Sequence, residues 1–312
     1  MQIMNGKIVL ITGSSSGIGR QAAIELAGLG ATVLVHACNA GIGKQLIESL
    51  RNEIPSGSFD LFIANFEVQD EIQRMAQEIK STYSKLDVLV NNAAIYTEER
   101  KITRDTVEKM FAVNHLGSFL ITHLLLPWLQ KSGNPRIINV SSHAHYTAQF
   151  KLHNLQGEKT FNAVKRYSCT KLYNILFTYQ LAAKLKDQNI SVNALHPGFT
   201  NTEMYVKLFG EFDAGTLSDS ADTIVYLASS AEVSHSTGLY YMSRLPVASS
   251  AFSYRKKYQR QLWKISERLT MVASLEPLTV RYNQDKHPWQ MFTQIVKWIR
   301  TAPETLFLKK IL

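Results

Sequence analysis

The stretch Lys7-Ile8-Val9-Leu10-Ile11-Thr12-Gly13-Ser14-Ser15-Ser16-Gly17-Ile18-Gly19 reads as a short apolar strand that turns, through three glycines, into a helix running to Leu29. Glycines let the backbone turn tightly and come close to a diphosphate. The free N–H groups and positive end of the following helix then hold the anion. A glycine cluster alone marks any tight turn. Its position between a first strand and a first helix is what points to a nucleotide.

Working outward, short apolar runs alternate with longer amphipathic ones, the pattern of a parallel sheet covered by helices. Strands are predicted near 7–12, 32–37, 58–64, 87–91, 136–141, 191–195 and 238–242, with helices over 17–29, 70–82, 107–129, 164–186 and 219–229. Gly28 and Gly30 close the first helix, and Pro55 to Gly57 separate the second from strand three. The expected fold is α/β: a Rossmann-type doubly wound sheet of about seven parallel strands with helices on both faces, plus a C-terminal helical extension. Residues 1–272 are expected to form that domain and residues 273–312 a basic amphipathic extension.

Composition bounds the alternatives. The 312 residues are 45% hydrophobic and 19% charged, which excludes a disordered chain and supplies a sizeable core. Two cysteines, Cys38 and Cys169, make no disulfide framework. The N-terminal residues run straight into a strand, and no run approaches a membrane span, so a cytoplasmic location is expected. The net charge of +9 is unevenly placed: Lys+Arg and Asp+Glu are 21 each through Ser243, then 13 against 4 from Arg244 to Leu312. No nucleic-acid module is visible, so no nucleic-acid partner is expected.

The candidate chemistry lies after the strands. Tyr167 and Lys171, four residues apart, share one helical face after strand five, which ends in Ser141-Ser142. Strand four ends in Asn91-Asn92-Ala93-Ala94, and Asn114 sits in Phe111-Ala112-Val113-Asn114-His115. His143 and His145 lack a third ligand at metal spacing, so no metal is expected. These motifs, in this order over about residues 5–270, closely resemble the short-chain dehydrogenase/reductase family. Within it, Ile138-Asn139-Val140-Ser141-Ser142, Lys171-Leu172-Tyr173-Asn174-Ile175-Leu176-Phe177 and His196-Pro197-Gly198 are similar to the retinol dehydrogenase-like branch, which shares the long interval from Ser142 to Tyr167.

The resemblance implies an NAD(P)-dependent oxidoreductase acting on CH–OH groups. Tyr167 would be the proton donor in reduction and the base in oxidation. Lys171 would lower its pKa from the usual value of about 10 and bond the nicotinamide ribose. Ser142 would hold the substrate oxygen, and Asn114 a water leading from Lys171 to solvent. The cofactor contacts implied are Gly13, Ser15, Ser16, Gly17, Ile18 and Gly19 at the diphosphate, Asn39 and Asn65 at the adenosine, and Asn91, Ala93, Tyr167, Lys171, Pro197, Gly198, Thr200 and Thr202 toward the nicotinamide. Thr202 is favoured over Thr200.

Strand two ends in Val35-His36-Ala37-Cys38-Asn39, with neither the Asp that selects NAD nor the Arg that selects NADP. No carboxylate there repels a 2′-phosphate, Asn39 can donate to it, and Arg20 and Lys44 are near in sequence. NADP is therefore expected, with NAD not excluded. Tyr146, Phe150, Phe161, Met204, Tyr205, Leu208, Phe209 and Phe212 make the substrate loops apolar, which suits a lipophilic retinoid, steroid, fatty or aromatic carbonyl or alcohol. The residues from Tyr254 to Leu269 read as a last helix packed on the domain through Tyr258, Leu262, Ile265 and Leu269. Past it, Trp289, Phe292, Val296 and Ile299 with Lys297, Arg300, Lys309 and Lys310 suggest contact with an anionic membrane surface or another subunit. A homo-oligomer is expected. The competing reading is a nucleotide-bound regulatory or interaction protein with little turnover, against which the full set Asn114, Ser142, Tyr167 and Lys171 speaks.

Overall fold

The computed structural model describes residues 3–211 and 214–272. Eight strands form one sheet in the order β3-β2-β1-β4-β5-β6-β7-β8. They are β1 (Ile8–Ile11), β2 (Thr32–Ala37), β3 (Ser58–Ile63), β4 (Val88–Asn91), β5 (Arg136–Val140), β6 (Ser191–His196), β7 (Tyr240–Met242) and β8 (Leu245–Val247). The first seven are parallel, as expected. The helices are α1 (Gly17–Gly28), α2 (Ala40–Glu53), α3 (Gln69–Thr82), α4 (Lys109–Phe111), α5 (Ser118–Leu129), α6 (Ala163–Lys184), α7 (Glu203–Phe209), α8 (Leu217–Ser229) and α9 (Lys256–Thr270).

Because successive strand residues face opposite sides, β1 feeds two cores. Val9 and Ile11 pack with Ala22 and Leu26 of α1, Leu46 of α2 and Ile224 of α8. Leu10 packs on the other face with Ile72 of α3, Phe119 of α5, Phe177 of α6 and Trp263 of α9. Order reverses between β1 and β4, so the loops after these two strands meet at the point where doubly wound sheets bind ligands. The last helix docks as its periodicity predicted: Leu262 is buried against Phe111 and Tyr173, with Tyr258, Ile265 and Leu269 around it. The extension 273–312 lies outside the described residues.

Two elements depart from expectation. The helix predicted over 107–129 runs from 109 to 129 but changes pitch: α4 is three residues, a π-turn spans Ala112–Gly117, and α5 continues from it. Within the π-turn the Asn114 side chain bonds the Ile95 backbone. The helix 109–129 is long and apolar enough to cross a membrane by composition, but 89% of an 18-residue window of it is buried within this fold. The eighth strand is antiparallel, closing a hairpin on Ser243 and Arg244, both left-handed with φ 47° and 64°. That turn normally takes Asn-Gly. Here the Arg244 guanidinium pairs with Asp222, and its N–H reaches the Thr223 hydroxyl at 3.2 Å, so tertiary contacts hold a conformation the turn residues disfavour.

Burial also leaves a pH signature. His36, His123 and His145 are pushed down to about 4, and His115 and His196 to about 3, from an ordinary 6.5, each chiefly by burial. The unfolded chain therefore binds more protons between pH 6.5 and about 4, and stability must fall as pH drops through that window. Each histidine contributes up to about 1.4 kcal/mol per pH unit there. We expect the midpoint of thermal unfolding to drop by many degrees between pH 7 and pH 5; an unchanged midpoint would contradict the burial of these rings.

Candidate active site

The glycine loop is built by close approach. Gly13 has φ +63°, and a Cβ there would lie 2.6 Å from Ala93 Cα; one on Gly19 would lie 2.4 Å from Asn92 Nδ2. On Gly17, also left-handed at φ +56°, a Cβ would lie 3.3 Å from the Thr202 methyl. The loop is tied from behind: Asn92 Nδ2 donates to Thr12 O and Gly13 O, both at 2.9 Å, while the Thr12 hydroxyl accepts from Asn92 N and Ala93 N at 3.0 Å. The N-cap Ser16 gives no side-chain cap to α1. A cradle that no Cβ could enter, opening on an uncapped helix start, fits a dinucleotide diphosphate.

Beyond the adjacent strands lie the phenol and the ammonium of α6. Tyr167 and Lys171 rise from α6, whose N-cap Asn162 accepts from Lys165 N at 3.0 Å. Both side chains are buried, Tyr167 at 5% and Lys171 at 2% exposure. Ser142, the residue after β5 and Ser141, lies beside the Tyr167 phenol, and its oxygen accepts from Ala144 N at 3.2 Å. Lys171 Nζ donates to Val140 O at 3.2 Å and lies 5.5 Å from the centre of the Tyr167 ring. The Ser141 hydroxyl holds α6 to β5 by donating to Lys171 O at 2.8 Å. Burial pushes the Tyr167 phenol well above its usual value, against the neighbouring Ser142 hydroxyl, which pulls it down. Burial likewise lowers the Lys171 ammonium to about 8. Desolvation dominates both groups, so the expected depression of the phenol by Lys171 is not the governing effect in this state.

This arrangement has relatives. The short chain dehydrogenase family matches residues 7–211. The chain belongs to the short chain dehydrogenases. Human retinol dehydrogenase 14 is 34% identical over 290 residues, covering 85% of this chain and 86% of that one. Human polyprenol dehydrogenase is 31% identical over 282 residues with the same coverage. Among solved structures, an uncharacterised protein from Mycobacterium paratuberculosis superposes with TM-score 0.73 at 28% identity, covering 87% of this chain and 96% of that one. A Shigella flexneri short chain dehydrogenase complexed with NADP gives 0.62 at 25% identity, covering 78% and 99%. This short chain dehydrogenase is of the retinol dehydrogenase-like branch and is an NAD(P)-dependent oxidoreductase acting on CH–OH groups.

Within it, several implied residues are already committed to the protein itself. Asn114 accepts from Ile95 N at 2.7 Å and donates to Ile95 O at 3.0 Å and the Thr170 hydroxyl at 3.1 Å, clamping α6 beside Tyr167. Asn91 is buried and donates to the Thr122 hydroxyl and Asn139 Oδ1, a strut within the sheet. Thr200 bonds Thr216 O and the Ser220 hydroxyl, whereas Thr202 caps α7 through Tyr205 N beside Gly17. Asn39 caps α2 by accepting from Ile42 N, leaving its NH₂ near Cys38. Asn65 Oδ1 accepts from Glu67 N. Arg20 is paired with Glu53 and Ser49, so it is not the free cation its sequence position suggested; Lys44 is exposed on α2. Pro197 and Gly198 follow β6, with Gly198 left-handed at φ +95°.

Of the apolar loop residues, Phe150 belongs to the core, stacked on Tyr258 at 4.8 Å. Phe212 lies outside the described residues. Tyr146 is 39% exposed, and Tyr205 is half-buried near Phe199. Tyr96 meets the Tyr167 ring edge-on at 6.4 Å and was not singled out from sequence, nor were Asn92 and Thr12. Their signal was available in the repeated Asn and the Thr preceding Gly13. Gly13→Ala, meeting both the Ala93 wall and a left-handed backbone, should lose about 1–3 kcal/mol of stability. Urea unfolding checks this, and a loss under about 0.3 kcal/mol would contradict the close approach.

Proposed function

We propose that the chain interconverts a lipophilic carbonyl and its alcohol with NADP(H), using Tyr167 as the proton donor and acceptor. The grouping of the buried Tyr167 and Lys171 with the half-buried Ser142 carries this reading. When bound, the nicotinamide gives or takes the hydride. The chain's own residues do the rest. Oxygen gains negative charge during reduction, and Tyr167, held protonated by burial, is placed to give it a proton. The Ser142 hydroxyl, already against the phenol, holds the same oxygen. Lys171 keeps a positive charge beside the phenol, stabilising it as it becomes phenolate. Asn114, which the family resemblance gives a water leading from Lys171 to solvent, also positions α6 through Ile95 and Thr170.

The absence of a carboxylate at the end of β2, with the Asn39 NH₂ and Lys44 nearby, favours a 2′-phosphate and hence NADP. The relatives named for retinol and polyprenol, together with Tyr96, Tyr205 and Phe199 near the phenol, favour a long apolar alcohol or aldehyde. Retinal, decanal and steroid ketones should be tested with NADPH and NADH. We expect turnover of at least one with NADPH favoured tenfold or more, and a loss of about 10²–10⁴ in kcat for Tyr167→Phe. Reduction should decline above about pH 8 as Lys171 loses its proton. Full activity of Tyr167→Phe, or a tenfold preference for NADH, would refute the reading. A regulatory protein with little turnover fits less well, since it has no physical need for the complete group.

The basic C-terminal part extends the proposal to an anionic surface. The exposed positions of α9 are Lys256, Lys257, Arg260, Lys264 and Arg268, and the basic aromatic sequence 273–312 follows. We expect full-length protein to float with phosphatidylserine vesicles and a chain ending at Val272 to float less. Equal recovery of both in the soluble fraction would favour docking on the domain itself or on a second copy.

A further inference from the structure

We propose that His36 is a positioning residue for cofactor binding, a neutral imidazole that holds the diphosphate loop and the adenosine side of the site in fixed register. It rests on the reading that the glycine cradle takes a dinucleotide. His36 stands on β2, between β1 and β3, and reaches the segments that follow both neighbours. Its Nδ1 lies 2.8 Å from Gly13 N, and its Nε2 lies 2.8 Å from Ala64 O. A backbone N–H only donates and a carbonyl only accepts, so the ring must accept at Nδ1 and carry its single hydrogen on Nε2. One tautomer satisfies both bonds, and a second proton would set N–H against N–H at Gly13. Burial supports this state by holding the imidazole neutral.

The backbone of His36 reinforces the grip: its N–H donates to the Ser14 hydroxyl at 2.8 Å, and its carbonyl accepts from Ser14 N at 3.1 Å. Its ring also lies against Phe66 at 4.5 Å, and Phe66 packs so closely on Gly117 that a Cβ there would come within 2.6 Å of the ring. Gly117 ends the π-turn that carries Asn114. One side chain thus links the diphosphate cradle to the segment after β3 and, through Phe66, to the clamp on α6.

Substitution separates the two bonds. In His36→Asn the amide oxygen occupies the place of Nδ1 and keeps the Gly13 contact; His36→Gln places its amide where Nε2 was and keeps the Ala64 contact; His36→Leu keeps neither. Nucleotide affinity of the full chain is measured by quenching of intrinsic fluorescence with NADPH, and amide exchange of the 12–19 segment is followed without nucleotide. We expect the Asn variant to bind within about threefold of the parent, and Gln and Leu to bind about tenfold more weakly, with a smaller fall in kcat and faster exchange of the segment. Parental affinity in the Gln or Leu variant, or an Asn variant as weak as Leu, would overturn the assignment. Where His36→Leu does not fold, the contrast between Asn and Gln decides. If the parent binds neither NADPH nor NADH, the dinucleotide reading fails, and the exchange measurement alone then decides whether His36 sets the loop.

Discussion

The contact of Gly13 with Ala93 is the constraint on which the rest depends. Two strands adjacent in the sheet but far apart in sequence end together, and the loops leaving them must pass with no side chain between. Thr12 and Asn92 convert that proximity into a web: one hydroxyl takes two N–H groups from the second loop, and one amide feeds two carbonyls of the first. With its carbonyls satisfied internally, the first loop presents the start of α1 outward. The anion site is therefore a by-product of good internal hydrogen bonding, because the polar groups that could compete for it already have partners.

Desolvation then sets the chemistry. Tyr167 and Lys171 are both buried, and burial moves their pKa values in opposite directions, the acid up and the base down. Both shifts oppose charge: a phenol above its ordinary pKa gives up its proton less readily than the free group, and a desolvated ammonium keeps its own less readily, so each is eased only by the opposite charge of the other. A solvated pair with the same spacing would lack this tension, which is why Tyr-x-x-x-Lys in sequence means little until the helix that carries it is seen to be buried.

Parallel strands buried on both faces announce themselves as continuous apolar runs, so seven of them were legible to within a residue or two at most ends. The eighth was not: its hairpin turns on Ser243 and Arg244, which carry no glycine signal, and its stability comes from Asp222 and Thr223 elsewhere in the chain. The π-turn at Ala112–Gly117 was hidden as well, since apolar periodicity continues through it. Motif spacing brings Ser142, Tyr167 and Lys171 to one place, but spacing cannot tell an exposed donor from a committed one. Asn91 and Thr200 have the right chemistry in the right neighbourhood, and the side chain of each is engaged inside the protein. His36 had no motif to mark it, because its function lies in two backbone atoms it touches rather than in its neighbours in sequence.

The same distinction governs the charge. Through Ser243 the chain is neutral, and the excess of nine positive charges begins at Arg244. On α9 that charge cannot be removed by truncation without taking part of the core with it. Leu262, Trp263 and Ser266 are buried on one side, Ser266 bonding His115 at 2.8 Å and Trp263 lying 5.1 Å from Phe119, while every exposed position is Lys or Arg. Deleting the helix would uncover Phe119 of α5 and the side of α6 that carries Tyr173 and Phe177, and any loss of surface binding would be indistinguishable from a loss of fold. Reversing the charge of Lys257, Arg260, Lys264 and Arg268 leaves the buried side untouched. It is therefore the surface charge, not the helix, that has to be altered to learn whether the basic end of the chain acts on a partner or merely remains in solvent.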